Sequence, residues 1–121
     1  MIISHVNLQR PAGEQCQTNE DHQEGVAKLA SSFSAPFGCG NLGRLMGLLH
    51  DKGKEQPDFQ KYIRKASGLE PDLTGIKHVE HAYVGALLAA KYYQTASMLI
   101  ANPILGHHAG LKDKADFDRA M

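Results

Sequence analysis

Seven histidines stand in a chain of 121 residues that has no tryptophan and only two cysteines. Five of them fall in four separated places: His22, His50 with Asp51 directly after it, His81, and the pair His107 and His108. Imidazole is a common ligand for transition ions and a carboxylate can bridge two of them, so the set has the chemistry of a metal site. The intervals from His22 to His50, on to His81 and on to His107 are 28, 31 and 26 residues, each long enough for a helix and its return. They differ from the tight Cys and His spacing of structural zinc fingers. A lone inward histidine is ordinarily a satisfied core residue. Four segments each turning an imidazole inward are another matter, because every buried ring nitrogen needs a partner and a metal serves them together.

The elements that must position these rings read as helices. Thr18 and Asp21 resemble a capping box, and Val26, Leu29, Ala30 and Phe33 predict a helix over about 19–35 with His22 on its buried face. Pro36 and Gly38-Cys39-Gly40 end it. Leu42, Leu45, Met46 and Leu49 predict a second helix that stops near Gly53, with His50 on its apolar stripe and Asp51 at its end. A short third helix follows Pro57, carried by Phe59, Tyr62 and Ile63. After a loop over 67–76, Val84, Leu87, Leu88 and Tyr92 predict a fourth helix over roughly 77–94, placing His81 on its apolar face. A fifth spans Met98 to Leu105 with a kink expected at Asn102-Pro103, and His107 and His108 follow it. Residues 1–17 read as an extended arm and loop, and nothing alternates with period two. The expected class is all-α, in one unit without repeat or linker.

Thirteen basic residues balance thirteen acidic ones, which excludes a nucleic-acid module held by its own lysines. The longest apolar run, Val84 to Ala90, is far short of the roughly 20 residues of a membrane span, so no membrane partner is expected. Cys16 and Cys39 make no disulfide framework and read as free thiols. With no basic start before an apolar stretch, a reducing, cytoplasmic setting is expected.

His22 with Gly25-Val26-Ala27, then Gly47-Leu48-Leu49-His50-Asp51-Lys52-Gly53-Lys54, Phe59-Gln60, His81 with Gly85-Ala86, and Gly106-His107-His108-Ala109-Gly110-Leu111 are together distinctive. In this ordered set the chain resembles the HD nuclease domain of the CRISPR-associated nuclease-helicase of type I interference systems. Ile3-Ser4-His5 is similar to the opening of that domain, where an Ala-His-Ser-like motif is usual. The resemblance covers essentially the whole chain. It implies an HD-domain helical bundle that holds one or two divalent ions and cuts single-stranded DNA. By the same resemblance His22, His50 and Asp51 hold the first metal. His81, His107 and His108 hold the second, with Asp51 between the two. Lys54 is implied to face the scissile phosphate. Ala82 stands where the family often has Ser, which removes an outer hydrogen bond rather than a ligand. The family domain runs on past the equivalent of residue 121 and adds an aspartate to the first metal, so residues 1–121 are expected to be the N-terminal part of a longer domain, lacking its C-terminal helices. Asp113 and Asp116 lie too close to the Gly-His-His motif to supply that ligand. Exposed apolar surface is accordingly expected along the fourth or fifth helix.

The implied partners are single-stranded DNA, a helicase domain or subunit, and the RNA-guided surveillance complex. An imidazole-rich shell favours Mn, Ni, Co or Fe over Mg, which prefers oxygen and its own waters. Two rival functions use the same residues: a stand-alone HD phosphohydrolase acting on nucleotides or phosphomonoesters, and a non-catalytic, metal-stabilised interaction module. His5 is expected to pack on the domain edge and His78 to sit exposed at a helix start. Lys61, Arg64 and Lys65 read as a solvated helix face before they read as a contact to DNA.

Overall fold

Thr18 has extended backbone and its hydroxyl accepts from the Asp21 amide at 3.1 Å, so the expected cap starts helix α1 (Asn19–Ser34). The computed structural model describes residues 1–121. It continues with α2 (Gly40–Leu49), α3 (Pro57–Ala66), α4 (Ala82–Tyr92), α5 (Ser97–Leu105) and α6 (Lys114–Ala120). The only sheet is an antiparallel pair, β1 (Ile3–Val6) and β2 (Cys16–Thr18). The protein is a small helical bundle. No helix is long and apolar enough to cross a membrane.

The helices meet through small residues. A Cβ on Gly47 would lie 2.5 Å from Ala27 Cα, so only glycine lets α2 approach the α1 backbone so closely. The buried face of α1 is therefore Asn19, Gln23 and Ala27. Leu29 and Phe33, read as core from their spacing, are 58% and 73% exposed. In α4 the buried face is likewise Ala82, Gly85, Ala86 and Ala89, while Leu87 and Tyr92 lie outside. The apolar core joins Ala86 and Ala89 to Ile100, Ala101 and Ile104 of α5 and Phe117 of α6, flanked by Leu42, Met46 and Leu49 of α2. The expected exposed apolar surface is present, with Leu87 and Tyr92 on α4, Leu99 on α5 and Leu111 beyond it.

Four local features differ from expectation. Residues 77–81 are not helical, and α4 begins at Ala82 with His81 as its cap residue. The His81 backbone is packed against the 3-10 turn Lys52–Glu55, where Gly53 leaves no room for a Cβ against the His81 carbonyl. The arm is extended as expected but is also paired as a strand: a register irregularity between Ile3 and His5 leaves both Ile3 and Ser4 buried, which erases any alternation. Helix α6 was also missed, since Phe117 is its one buried residue and no period can show. Pro103 lies inside α5, which runs unbroken from Ser97 to Leu105.

Candidate metal centre

Six residues expected to act together are brought together. His22 comes from the second turn of α1, and His50 caps the end of α2. Asp51 precedes the 3-10 turn Lys52–Glu55, His81 precedes α4, and His107 and His108 follow α5. Asp51 is the hub. Its Oδ2 lies 3.0 Å from His22 Nε2 and 3.2 Å from His50 Nε2. Its Oδ1 lies 3.2 Å from His81 Nε2 and 3.3 Å from His107 Nε2. One ligand atom from each of Asp51, His81, His107 and His108 falls within 4.8 Å of the others, and the same holds for His22, His50 and Asp51.

The hub is held by its backbone. Asn19 Nδ2 donates to the Asp51 carbonyl at 3.2 Å, and the Lys54 amide donates to it at 3.0 Å. On the far side, Asn102 donates to the Lys112 carbonyl at 2.7 Å and accepts from the Lys112 amide at 3.0 Å. That pair folds the Gly106–Leu111 loop back on α5 and so places both of its histidines. Gln60, from the Phe59-Gln60 pair, is buried and works as a clamp. It accepts from the Ile3 amide at 2.8 Å, and donates to the Ile3 carbonyl at 2.8 Å and the Lys54 carbonyl at 2.7 Å. Ser4, Asn19, Gln60 and Asn102 make long-range contacts, and only Gln60 and Ser4 stood in a recognisable motif.

The ring orientations call for a cation. His50 Nδ1 lies 2.7 Å from the Gly47 carbonyl, and His107 Nδ1 lies 2.6 Å from that of Ile104. A carbonyl only accepts, so in both rings Nδ1 carries the proton. In the neutral rings the Nε2 lone pairs therefore point at a carboxylate that has only lone pairs to offer. His22 Nε2 also faces His50 Nε2 at 3.2 Å, and His108 Nε2 faces His81 Nε2 at 2.9 Å. Asp51 Oδ1, although buried and near two rings, is aligned for a hydrogen bond with neither. Acceptors facing acceptors need a proton or a metal between them, and this donor set fits a metal ion.

Burial pushes the Asp51 carboxyl up, but its close side-chain contacts with His107, His50, His81 and Lys54 outweigh it and hold it far below the usual carboxylate range. It is an anion at any working pH. Burial lowers His22, helped by the neighbouring charge of His5, and burial beside His107 and His81 lowers His108. Both rings thus favour the neutral form that ligates. His107 is raised by its contact with Asp51. In the metal-free protein His107 adds to stability below the ordinary imidazole pKa, and that contribution is lost as pH rises through its raised value.

Two placements differ from expectation. The histidines do not point into the apolar core: Asp51 is buried, His22, His50 and His81 are half-buried, and His107 and His108 are exposed, so the cluster is a rim opening to solvent. Helix ends bring these rings in, and the helix faces are filled by alanine and glycine. Lys54, expected to face a phosphate, is 6% exposed with its Nζ 2.9 Å from Asp51 Oδ2. A buried carboxylate demands a counter-charge, which turns the ammonium inward.

His5 is exposed, yet its ring packs edge-on against His22 with centroids 4.5 Å apart, so its domain edge is also the rim of the cluster. His78 is exposed and rests edge-on against Tyr62. Arg64 and Lys65 bond to nearby carbonyls of Gln60 and Pro71. Asp113 caps α6 and Asp116 pairs with Arg119, so neither belongs to the cluster. A polar groove of about 460 Å³ opens beside His5, lined also by Asn7, Arg10, Gln15 and Gln17.

No protein-family model matches the chain, and no solved structure matches it.

Proton competition sets a first prediction. A metal entering the cluster must displace the proton that His107 retains, so loading releases protons and affinity falls as pH is lowered through the raised value of His107. Calorimetric titration of Mn²⁺ in two buffers of different protonation enthalpy measures the release. Heats independent of the buffer would place the ion away from these imidazoles.

Proposed function

We propose that residues 1–121 form a metal-dependent nuclease centre of the HD type that cuts single-stranded DNA in CRISPR interference, beside a helicase domain or subunit and its RNA-guided surveillance complex. The observation that carries this reading is Asp51, whose two oxygens each face a histidine set while Oδ1 has no hydrogen-bond partner. His22, His50 and Asp51 Oδ2 would hold one ion, and His81, His107, His108 and Asp51 Oδ1 the other. Divalent ions in such a pair supply charge neutralisation on a phosphodiester and an ionised water to attack it. The imidazole content favours Mn, Ni, Co or Fe over Mg.

The chain's own residues do the positioning. The Gly47 and Ile104 carbonyls fix the tautomers of His50 and His107, so their lone pairs are aimed before any ion arrives. Lys54 balances and orients Asp51. His107 and His108 are exposed, which leaves an approach for a strand and favours a polymer over a small phosphomonoester in a closed pocket. A net charge of zero leaves the strand to be held by the helicase partner.

The test is incubation of the protein with circular single-stranded DNA, nucleotides and a generic phosphomonoester, each with Mn²⁺, Co²⁺ or Ni²⁺ and each with chelator. Cleavage of the DNA circle that chelator abolishes is expected, with no turnover of the small esters. Phosphomonoester turnover without DNA cleavage would install the phosphohydrolase reading instead. Full metal occupancy with no reaction, also in a version of the chain extended at its C-terminus, would leave a metal-stabilised interaction module.

A further inference from the structure

The two sides of Asp51 are not equivalent. Oδ1 is buried with no hydrogen bond, facing three imidazoles. Oδ2 already has a cation, the Lys54 ammonium at 2.9 Å, in the same space that His22 and His50 face. That ammonium is built in. It donates to Ser4 Oγ at 3.1 Å, lies 3.4 Å from the Ser4 carbonyl and 3.5 Å from His5 Nε2, and is buried. Its anchors are held in turn, because Gln60 ties Ile3 of β1 and the Lys54 carbonyl to one side-chain amide.

We infer that Lys54 is a resident cation of the Oδ2 side, so that the protein takes one divalent ion tightly at Asp51 Oδ1, His81, His107 and His108, and a second only weakly while β1 is docked. The inference rests on the metal-centre reading above. Its physical ground is like-charge exclusion: a divalent ion on Oδ2 would share one carboxylate oxygen with an ammonium already within hydrogen-bond distance of it, in a partly dry site where charges are poorly screened. An ion on Oδ1 meets a free lone pair instead. Loading the second position requires Lys54 to withdraw, and its withdrawal is opposed by Ser4 and, through β1, by Gln60.

The experiment is calorimetric titration of the metal-free protein with Mn²⁺ and with Co²⁺, with bound metal counted by elemental analysis after gel filtration. The wild-type chain is expected to show one tight ion and a second at least tenfold weaker. Lys54→Met, which keeps the length and removes the charge, should tighten the second ion at least tenfold. Ser4→Ala should shift it in the same direction by less, and this variant decides the matter if Lys54→Met does not fold. His108→Ala should remove the tight ion, whereas His22→Ala should leave it in place. Two equally tight ions in the wild-type chain would overturn the inference and leave the metal centre standing, as would a second ion indifferent to both Lys54→Met and Ser4→Ala. Absence of any bound ion from all the proteins would overturn the metal-centre reading itself.

Discussion

Asp51→Ala is expected to release metal from both sides at once and to abolish the proposed DNA cleavage. No other residue offers an oxygen to both histidine sets. The same change leaves the buried Lys54 ammonium without its carboxylate, and loss of one partner from a buried pair costs about 3–5 kcal/mol. Urea denaturation of the metal-free proteins should therefore show a lower midpoint for Asp51→Ala. Asp51→Asn keeps the shape and part of the hydrogen bonding, so it should lose the metal with a smaller drop in stability. Two variants that retain one ion at wild-type affinity would show that Asp51 is not the shared ligand. A stability loss of the predicted size with metal content unchanged would reduce it to a structural ion-pair partner.

The second large effect comes from a residue with no side chain. A Cβ at Gly53 would stand 1.9 Å from the His81 carbonyl oxygen and 2.6 Å from His81 Cα, and backbone on both sides cannot yield locally. Gly53→Ala should push His81 away from Asp51 Oδ1. Overpacking of this kind costs about 1–3 kcal/mol, and misplacing a ligand should weaken metal binding by roughly 10–100-fold, as outer-sphere changes do. Gly25→Ala is the matched control. Its Cβ would meet nothing within 4 Å on helix α1, so that variant should gain about 0.5–1 kcal/mol and bind metal as before. Equal behaviour of the two alanine variants in thermal unfolding and metal titration would refute the fit between the 3-10 turn and the start of α4.

These two positions also mark what can be read from the sequence. The histidines and Asp51 were legible because residue type carries their chemistry and the Gly-His-His and His-Asp motifs keep it local. Helices α1 to α3 were legible from caps, Pro57 and spacing. The packing faces were not. Periodicity looks for large apolar residues, yet α1, α2 and α4 meet through Ala27, Gly47, Gly85 and Ala86, and leave Leu29 and Phe33 outside. His81 was read as one residue on a helical face, but docking of Gly53 on its backbone makes it the cap that begins the helix. Ser4 and Gln60 act across fifty residues of chain or more, and no local window shows that a serine in a terminal arm will hold a lysine.

The cluster has a further consequence for the chain as a polymer. Its members run from the first helix to the loop after the fifth, and the two cysteines are free, so no covalent cross-link joins these segments. An ion bound by Asp51, His81, His107 and His108 would close the loop between the middle of the chain and its last third. A disulfide does the same by restricting the unfolded ensemble, and closing long loops removes the most disorder from it. Ligands to such an ion arrive only once distant helices have docked, so a coordinated ion would form late in folding and be surrendered early in unfolding. The metal would then act as a reversible staple as well as a reagent, and a chelator would set how readily a protease cuts the loops that frame the site.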